Sequence, residues 1–194
     1  GPVTVTAPDG GPLPASEARV WATGEGLLIG LWRHMQNEWF APRGGTTAGA
    51  PQPARLRFAT PRYIYDLRQG KFLGKVTQVD TKLAWGRANF FLALPYAIEG
   101  VTASLAGNPA PGQKLTVTFK LQGPTKVAER HALWTEITDP AGNPPPWGGR
   151  VVLLDHGAGQ LTLPVAYNDA PGQWKLRATE LFSGKSATVT WTLK

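Results

Sequence analysis

Thirteen carboxylates, three histidines and no cysteine bound the chemistry open to this 194-residue chain. Hydrolysis of a glycosidic bond needs two carboxyl groups roughly 5–10 Å apart. The pairs to weigh are Glu136 with Asp139 and Asp66 with Asp80. Asp139 opens the turn text "DPAGN", where a short acid caps the backbone, and nothing marks either pair as catalytic. His34, His131 and His156 stand far apart, outside any metal-ligand spacing such as HExxH. Asp155 beside His156 in "LLDHGAG" suggests part of a triad, but "SLAG" and "FSGK" both break the Gly-x-Ser-x-Gly elbow that would supply the nucleophile. His156 is therefore expected in a turn. Without cysteine there is no disulfide, thiolate metal site or thiol nucleophile. Asp139, Asn143, Asp155, Asn168 and Asp169 carry oxygens that suit calcium, yet no D-x-D-x-D loop arranges them. No catalytic residue, metal or other cofactor is expected, and the chain is read as non-enzymatic.

The eight tryptophans offer a different chemistry. A sugar ring packs its apolar face on an exposed aromatic while polar groups fix its hydroxyls. Trp174, Trp191, Trp21 and Trp85 lie in strand-like text and are poor candidates. Trp39 precedes the loop "APRGGTTAGAPQPA", and Trp147 sits in "NPPPWGG", which cannot belong to a regular strand. Trp39 and Trp147 are the expected exposed aromatics, and Trp32 joins them if its strand faces outward.

The elements that must position these groups are legible as alternation. Trp174, Leu176 and Ala178 share one parity; Ala187, Val189, Trp191 and Leu193 share one face of the next run, across Ser183-Gly184. Period two with one apolar face predicts a terminal β-hairpin half-buried on a core. Upstream, Val101–Leu105, Leu115–Leu121, His131–Thr138, "RVVLL" and "QLTLPVAY" read as further strands, about seven in all, at the spacing of a sandwich. The first half is β-rich but less regular. "RVWATGEGLLIGLWRH" predicts a hairpin across Gly24-Glu25-Gly26; Leu28, Leu31, Trp32, Met35 and Trp39 also fit helical spacing, but Gly26 and Gly30 each disfavour a helix by about 1 kcal/mol. "ARLRFATP", "RYIYDLRQGKFLG" and "KLAWGRANFFLALPY" read as strands, the second folded at Gln69-Gly70. The expected architecture is all-β: a β-sandwich over residues 1–97 and an immunoglobulin-like β-sandwich over 98–194.

Charge is uneven. Residues 1–97 carry 11 Lys/Arg against 6 Asp/Glu, and residues 98–194 carry 9 against 7. A basic half attracts acidic polymers, though its arginines are spread through strands and no aromatic-basic motif points to nucleic acid. No apolar run reaches the roughly 18 residues of a membrane span. Gly1-Pro2 reads as the remnant of a cleaved tag, so any natural signal peptide or upstream domain would have been removed.

Two stretches carry a family likeness. "YIYDLRQGKFLGKV…LAWGRANFFLALPY" resembles the β-sandwich that follows the catalytic barrel in large multi-domain bacterial glycoside hydrolases. "RHALWTEITDPAGN…LPVAYNDAPGQWKLRATELFSGKSATVTW" is similar to the immunoglobulin-like module that often comes next. These motifs cover about 80 of 194 residues and consist of turn and core positions. The resemblance implies a fragment, a C-terminal accessory region without the catalytic barrel or its carboxylates. It further implies a secreted or cell-envelope bacterial parent and an upstream catalytic domain of that parent as partner. A polysaccharide ligand and an adhesin-like interaction module are the alternatives.

Overall fold

A computed structural model describes residues 1–34, 50–107, 109–123 and 126–194. Trp39 and most of the 41–54 loop lie outside the described residues. No helix forms among those described, and every sheet pairing between named strands is antiparallel. The chain is all-β, in two compact units, Gly1–Tyr96 and Ala97–Lys194.

The first unit contains β1 (Val3–Thr6), β2 (Ser16–Thr23), β3 (Gly26–Arg33), β4 (Gln52–Asp66), β5 (Lys71–Leu83) and β6 (Asn89–Leu94). They form one sheet in the order β1-β4-β6-β3-β2, with β5 also on β4. The two strands expected in "ARLRFATP" and "RYIYD" are a single 15-residue β4. Its N-terminal half pairs β1 through Arg55–Phe58, and its C-terminal half pairs β6 through Tyr63–Asp66. Between them, from Arg57 to Arg62, the register with β5 shifts. Pro61 lies in that interval, where its missing N–H removes no ladder bond and the strand can bend. Leu27, Ile29 and Leu31 of β3 share a core with Leu56, Phe58 and Ile64 of β4, Val79 and Leu83 of β5, and Phe91 of β6. β3 and β5 do not pair, yet both face this core. The unit is thus one sheet curled around its apolar side rather than two separate sheets.

The helical alternative for residues 28–39 yields to a strand over the described part of it. A Cβ at Gly30 would lie 3.0 Å from the Trp21 ring and 3.1 Å from Phe90, so glycine here serves close approach of rings across β3. "KLAWGRANFFLALPY" is not one strand either: β5 stops at Leu83 and β6 starts at Asn89.

The second unit has seven strands: β7 (Gly100–Gly107), β8 (Lys114–Gln122), β9 (His131–Thr138), β10 (Gly149–Leu154), β11 (Ala158–Pro164), β12 (Gly172–Glu180) and β13 (Ser186–Leu193). They build a four-stranded sheet β10-β9-β12-β13 and a three-stranded sheet β11-β8-β7, an immunoglobulin-like arrangement. Leu115, Val117, Phe119, Leu133, Leu154 and Leu176 between the sheets are fully buried. Each such side chain contributes roughly 1.5–3 kcal/mol on burial. In the terminal hairpin Trp174 and Trp191 stand directly opposite, with ring centroids 6.2 Å apart, both in the core.

Candidate functional site

Trp147 does not fill its expected role as an exposed platform. Gly148 N–H donates to the Pro145 carbonyl at 2.8 Å and Ile137 N–H to Gly148 at 3.1 Å, folding "PPWGG" back on β9. The Trp147 ring then stacks 6.2 Å from Trp174 and packs against the core. It extends the Trp174–Trp191 row and closes the end of the sandwich. Trp32 lies on β3 with parity opposite to Leu27, Ile29 and Leu31, so it faces away from the core; it is half-buried, with the Arg19 guanidinium 5.9 Å over its ring. Trp39 falls outside the described residues. Trp32 and Trp147 thus belong to different units, and each is half-buried in its own.

Asp66, Asp139, Asp155 and His156 are occupied locally. Asp139 Oδ1 accepts from Ala141 N–H at 2.9 Å and Asn143 N–H at 2.8 Å, the cap expected for "DPAGN". Asp66 Oδ1 accepts from Arg68 and Gln69 N–H groups. Asp155 is bound by Arg130 at 2.7 Å, while His156, at φ 51°, occupies the two-residue turn between β10 and β11 and places Nδ1 3.2 Å from the Val127 carbonyl. Asp155 and His156 thus serve different partners. Among the described residues no group of three or more His, Asp or Glu side chains gathers to hold a metal.

A different aromatic occupies the surface. Trp134 on β9 is 41% exposed and lines a groove of about 390 Å³ on the outer face of the four-stranded sheet. Strand register explains its neighbours. Trp134 sits opposite Val151 of β10 and Thr179 of β12; Glu136 sits between Gly149 and Arg177; Thr138 faces Lys175. A Cβ at Gly149 would come within 2.9 Å of the indole, so the ring rests on bare backbone there. Pro144 and Gly148 supply the end wall. Glu136, Lys175 and Arg177 are exposed and have no side-chain partner among the described residues. The groove therefore presents an apolar ring beside one free acceptor and two free cationic donors. That set matches the mixed apolar and hydroxyl character of a sugar.

The signal for Trp134 was present in "HALWTEIT". His131, Leu133, Thr135 and Ile137 carry the buried parity, leaving the large ring of Trp134 on the solvent parity. An aromatic on the outward face of a regular strand is the stronger marker; a loop tryptophan has no periodicity to say which way it turns.

No model of a known protein family matches the chain, and no curated protein does. Among solved structures it aligns with the isomalto-dextranase of Arthrobacter globiformis T6 complexed with panose, at 15% identity and TM-score 0.30, over 96% of this chain and 33% of that one. A Bacteroides uniformis beta-glucuronidase aligns at 10% identity and TM-score 0.28, over 90% of this chain and 32% of that one. A putative beta-galactosidase from Bacteroides fragilis aligns at 10% identity and TM-score 0.24, over 91% and 40%. The chain spans about a third of the length of the first of these, 33%.

Proposed function

We propose that the chain is a non-catalytic accessory region of a larger extracytoplasmic bacterial protein, and that its second unit holds carbohydrate in the Trp134 groove. The observation that carries this reading is the exposed indole on Gly149 beside the unpartnered Glu136, Lys175 and Arg177. One sugar would stack on the ring, and its hydroxyls would meet the three charged side chains. The engagement of Asp66, Asp139 and Asp155 in turns and ion pairs supports a role without hydrolysis.

Bracing of an upstream catalytic domain is the second role, favoured by exposed aromatics on the first unit. Trp21, Phe72 and Phe90 are 43%, 49% and 38% exposed, and the Trp21 and Phe90 rings meet over Gly30. Affinity electrophoresis through gels containing neutral polysaccharides tests the first role. Wild-type chain is expected to be retarded by at least one of them, and Trp134→Ala to migrate freely with an unchanged unfolding midpoint. Equal migration of both proteins in every gel would remove the carbohydrate role.

A further inference from the structure

The first unit holds a second concavity with a different character. Among the described residues β5 pairs only with β4, and a cavity of about 600 Å³ lies between the β4–β5 turn, β5 itself and the 84–89 loop. This lies within the roughly 300–1,000 Å³ of small-molecule sites. Leu73, Val79 and Phe91 of the core form its apolar floor. Four cations stand on its walls: Arg68, Lys71, Lys82 and Arg87.

The two carboxylates that line the same cavity are already engaged. Asp66 is buried and accepts the Arg68 and Gln69 N–H groups at 3.0 and 2.9 Å. Asp80 receives Arg55 through Nε at 2.7 Å and Nη2 at 3.2 Å. Lys71, Lys82 and Arg87 have no side-chain partner among the described residues. Arg68 is held in place, its Nη1 donating to the Ala88 carbonyl at 2.8 Å. The loop that carries Arg87 is fastened to β5 by Asn89 Nδ2, which donates to Thr81 Oγ1 at 3.1 Å and to the Lys82 carbonyl at 3.0 Å. Arg68 and the backbone of the 84–89 loop are thus held before any ligand arrives, which lowers part of the ordering cost of binding. An excess of cations around a concavity raises the local concentration of anions.

We infer that this cavity binds an acidic saccharide, a short chain bearing carboxylate groups on its sugar rings. The cations would meet the carboxylates, with Arg68 and Arg87 able to bind them in a two-pronged way. Thr81, Asn89 and Gln69 supply polar atoms for the hydroxyls, and the half-buried Leu73 side chain meets a ring's apolar face. Nucleic acid fits less well, because single strands need an extended basic track with exposed rings for bases to stack on, and Phe91, the one ring in the lining, is 1% exposed. The cavity is built from the first unit alone and stands independently of the Trp134 groove.

The test is isothermal titration of the full chain with trigalacturonic acid, with the neutral trisaccharide maltotriose, inorganic phosphate and a short oligothymidylate as comparison probes. Saturable binding of the tri-uronate is expected, weakening as salt is raised from 50 to 300 mM because the charges are screened over about 10 Å at 0.1 M. Lys82→Ala combined with Arg87→Ala should reduce the affinity at least tenfold, Lys82→Arg should retain it, and Trp134→Ala should leave it unchanged. Both alanine sites are exposed and their side chains make no contact the fold requires, and an unchanged urea midpoint checks this. No binding of the tri-uronate overturns the inference. So does equal binding of phosphate or oligothymidylate, which would mark a general anion patch, and so does affinity that survives the double substitution. Loss of tri-uronate binding on Trp134→Ala would transfer the acidic ligand to the second unit and overturn it as well.

Discussion

Glu180 is the most consequential polar side chain in the second unit. It is fully buried at the end of β12, with Oε1 3.0 Å from His131 Nδ1. Its Oε2 accepts from Ser183 N–H at 2.7 Å and Ser183 Oγ at 2.6 Å, so one carboxylate both meets β9 and shapes the terminal turn. Glu180→Ala leaves those donors unsatisfied inside the protein and is expected to destabilise it by roughly 3–5 kcal/mol. Urea unfolding followed by tryptophan fluorescence reads this directly, and Glu180→Gln should cost less because it keeps an acceptor. A second residue makes a prediction about pH. The Arg55 hydrogen bond, helped by its charge, holds the Asp80 carboxyl below the ordinary aspartate range. A lowered folded-state value means the pair stabilises the fold above the unfolded value and loses that effect as pH falls through the folded one. An NMR titration of the Asp80 carboxyl should show its midpoint below that of a free aspartate, and Arg55→Ala should raise it. Glu180 and His131 were both readable, since each continues a buried parity, 174-176-178-180 and 131-133-135-137. The inward turn of Trp147 was not, because hydrogen bonds of the Pro145–Gly148 turn decide it and no periodicity reports them.

The strands of the second unit followed from alternation because each is short, one-sided and bounded by turn residues. His131–Thr138 is both the expected run and β9. The first unit was less legible for two physical reasons. β4 continues through Pro53 and Pro61, which sequence rules treat as interruptions, because the bend and the register shift accommodate Pro61. The curling of one sheet also depends on non-local pairing, with β1 and β6 sharing one edge of β4, and no local pattern encodes that. Close approach between strands makes a sharper prediction. A Cβ at Gly159 would collide with the Leu153 carbonyl and lie 2.8 Å from Leu154. Gly159→Ala should therefore loosen the β10–β11 connection and cost about 1–3 kcal/mol, seen as a lower urea midpoint with faster amide exchange at Leu153 and Leu154. Gly142, with open space around its Cβ position, is the contrasting site: its left-handed φ of 86° makes alanine strained there without any clash.

The uneven charge of the chain corresponds to two different surfaces. The basic first half gathers four cations around an open cavity, whereas the second half presents a ring with mixed charges. On the proposed reading each surface meets a saccharide by itself, the cationic cavity an acidic one and the Trp134 groove a neutral one. The claim on which this rests is that Trp134 is a sugar platform. The most direct measurement is the NMR position of the Trp134 indole N–H, assigned by loss of its signal in Trp134→Phe, during titration with maltohexaose, cellohexaose and xylohexaose. The account predicts a saturable shift of that resonance with at least one of the three, accompanied by Glu136 and Arg177 amides, while the buried Trp174 and Trp191 signals stay in place. An indole signal that does not move with any of them, in a chain whose spectrum is otherwise that of the folded protein, would contradict it.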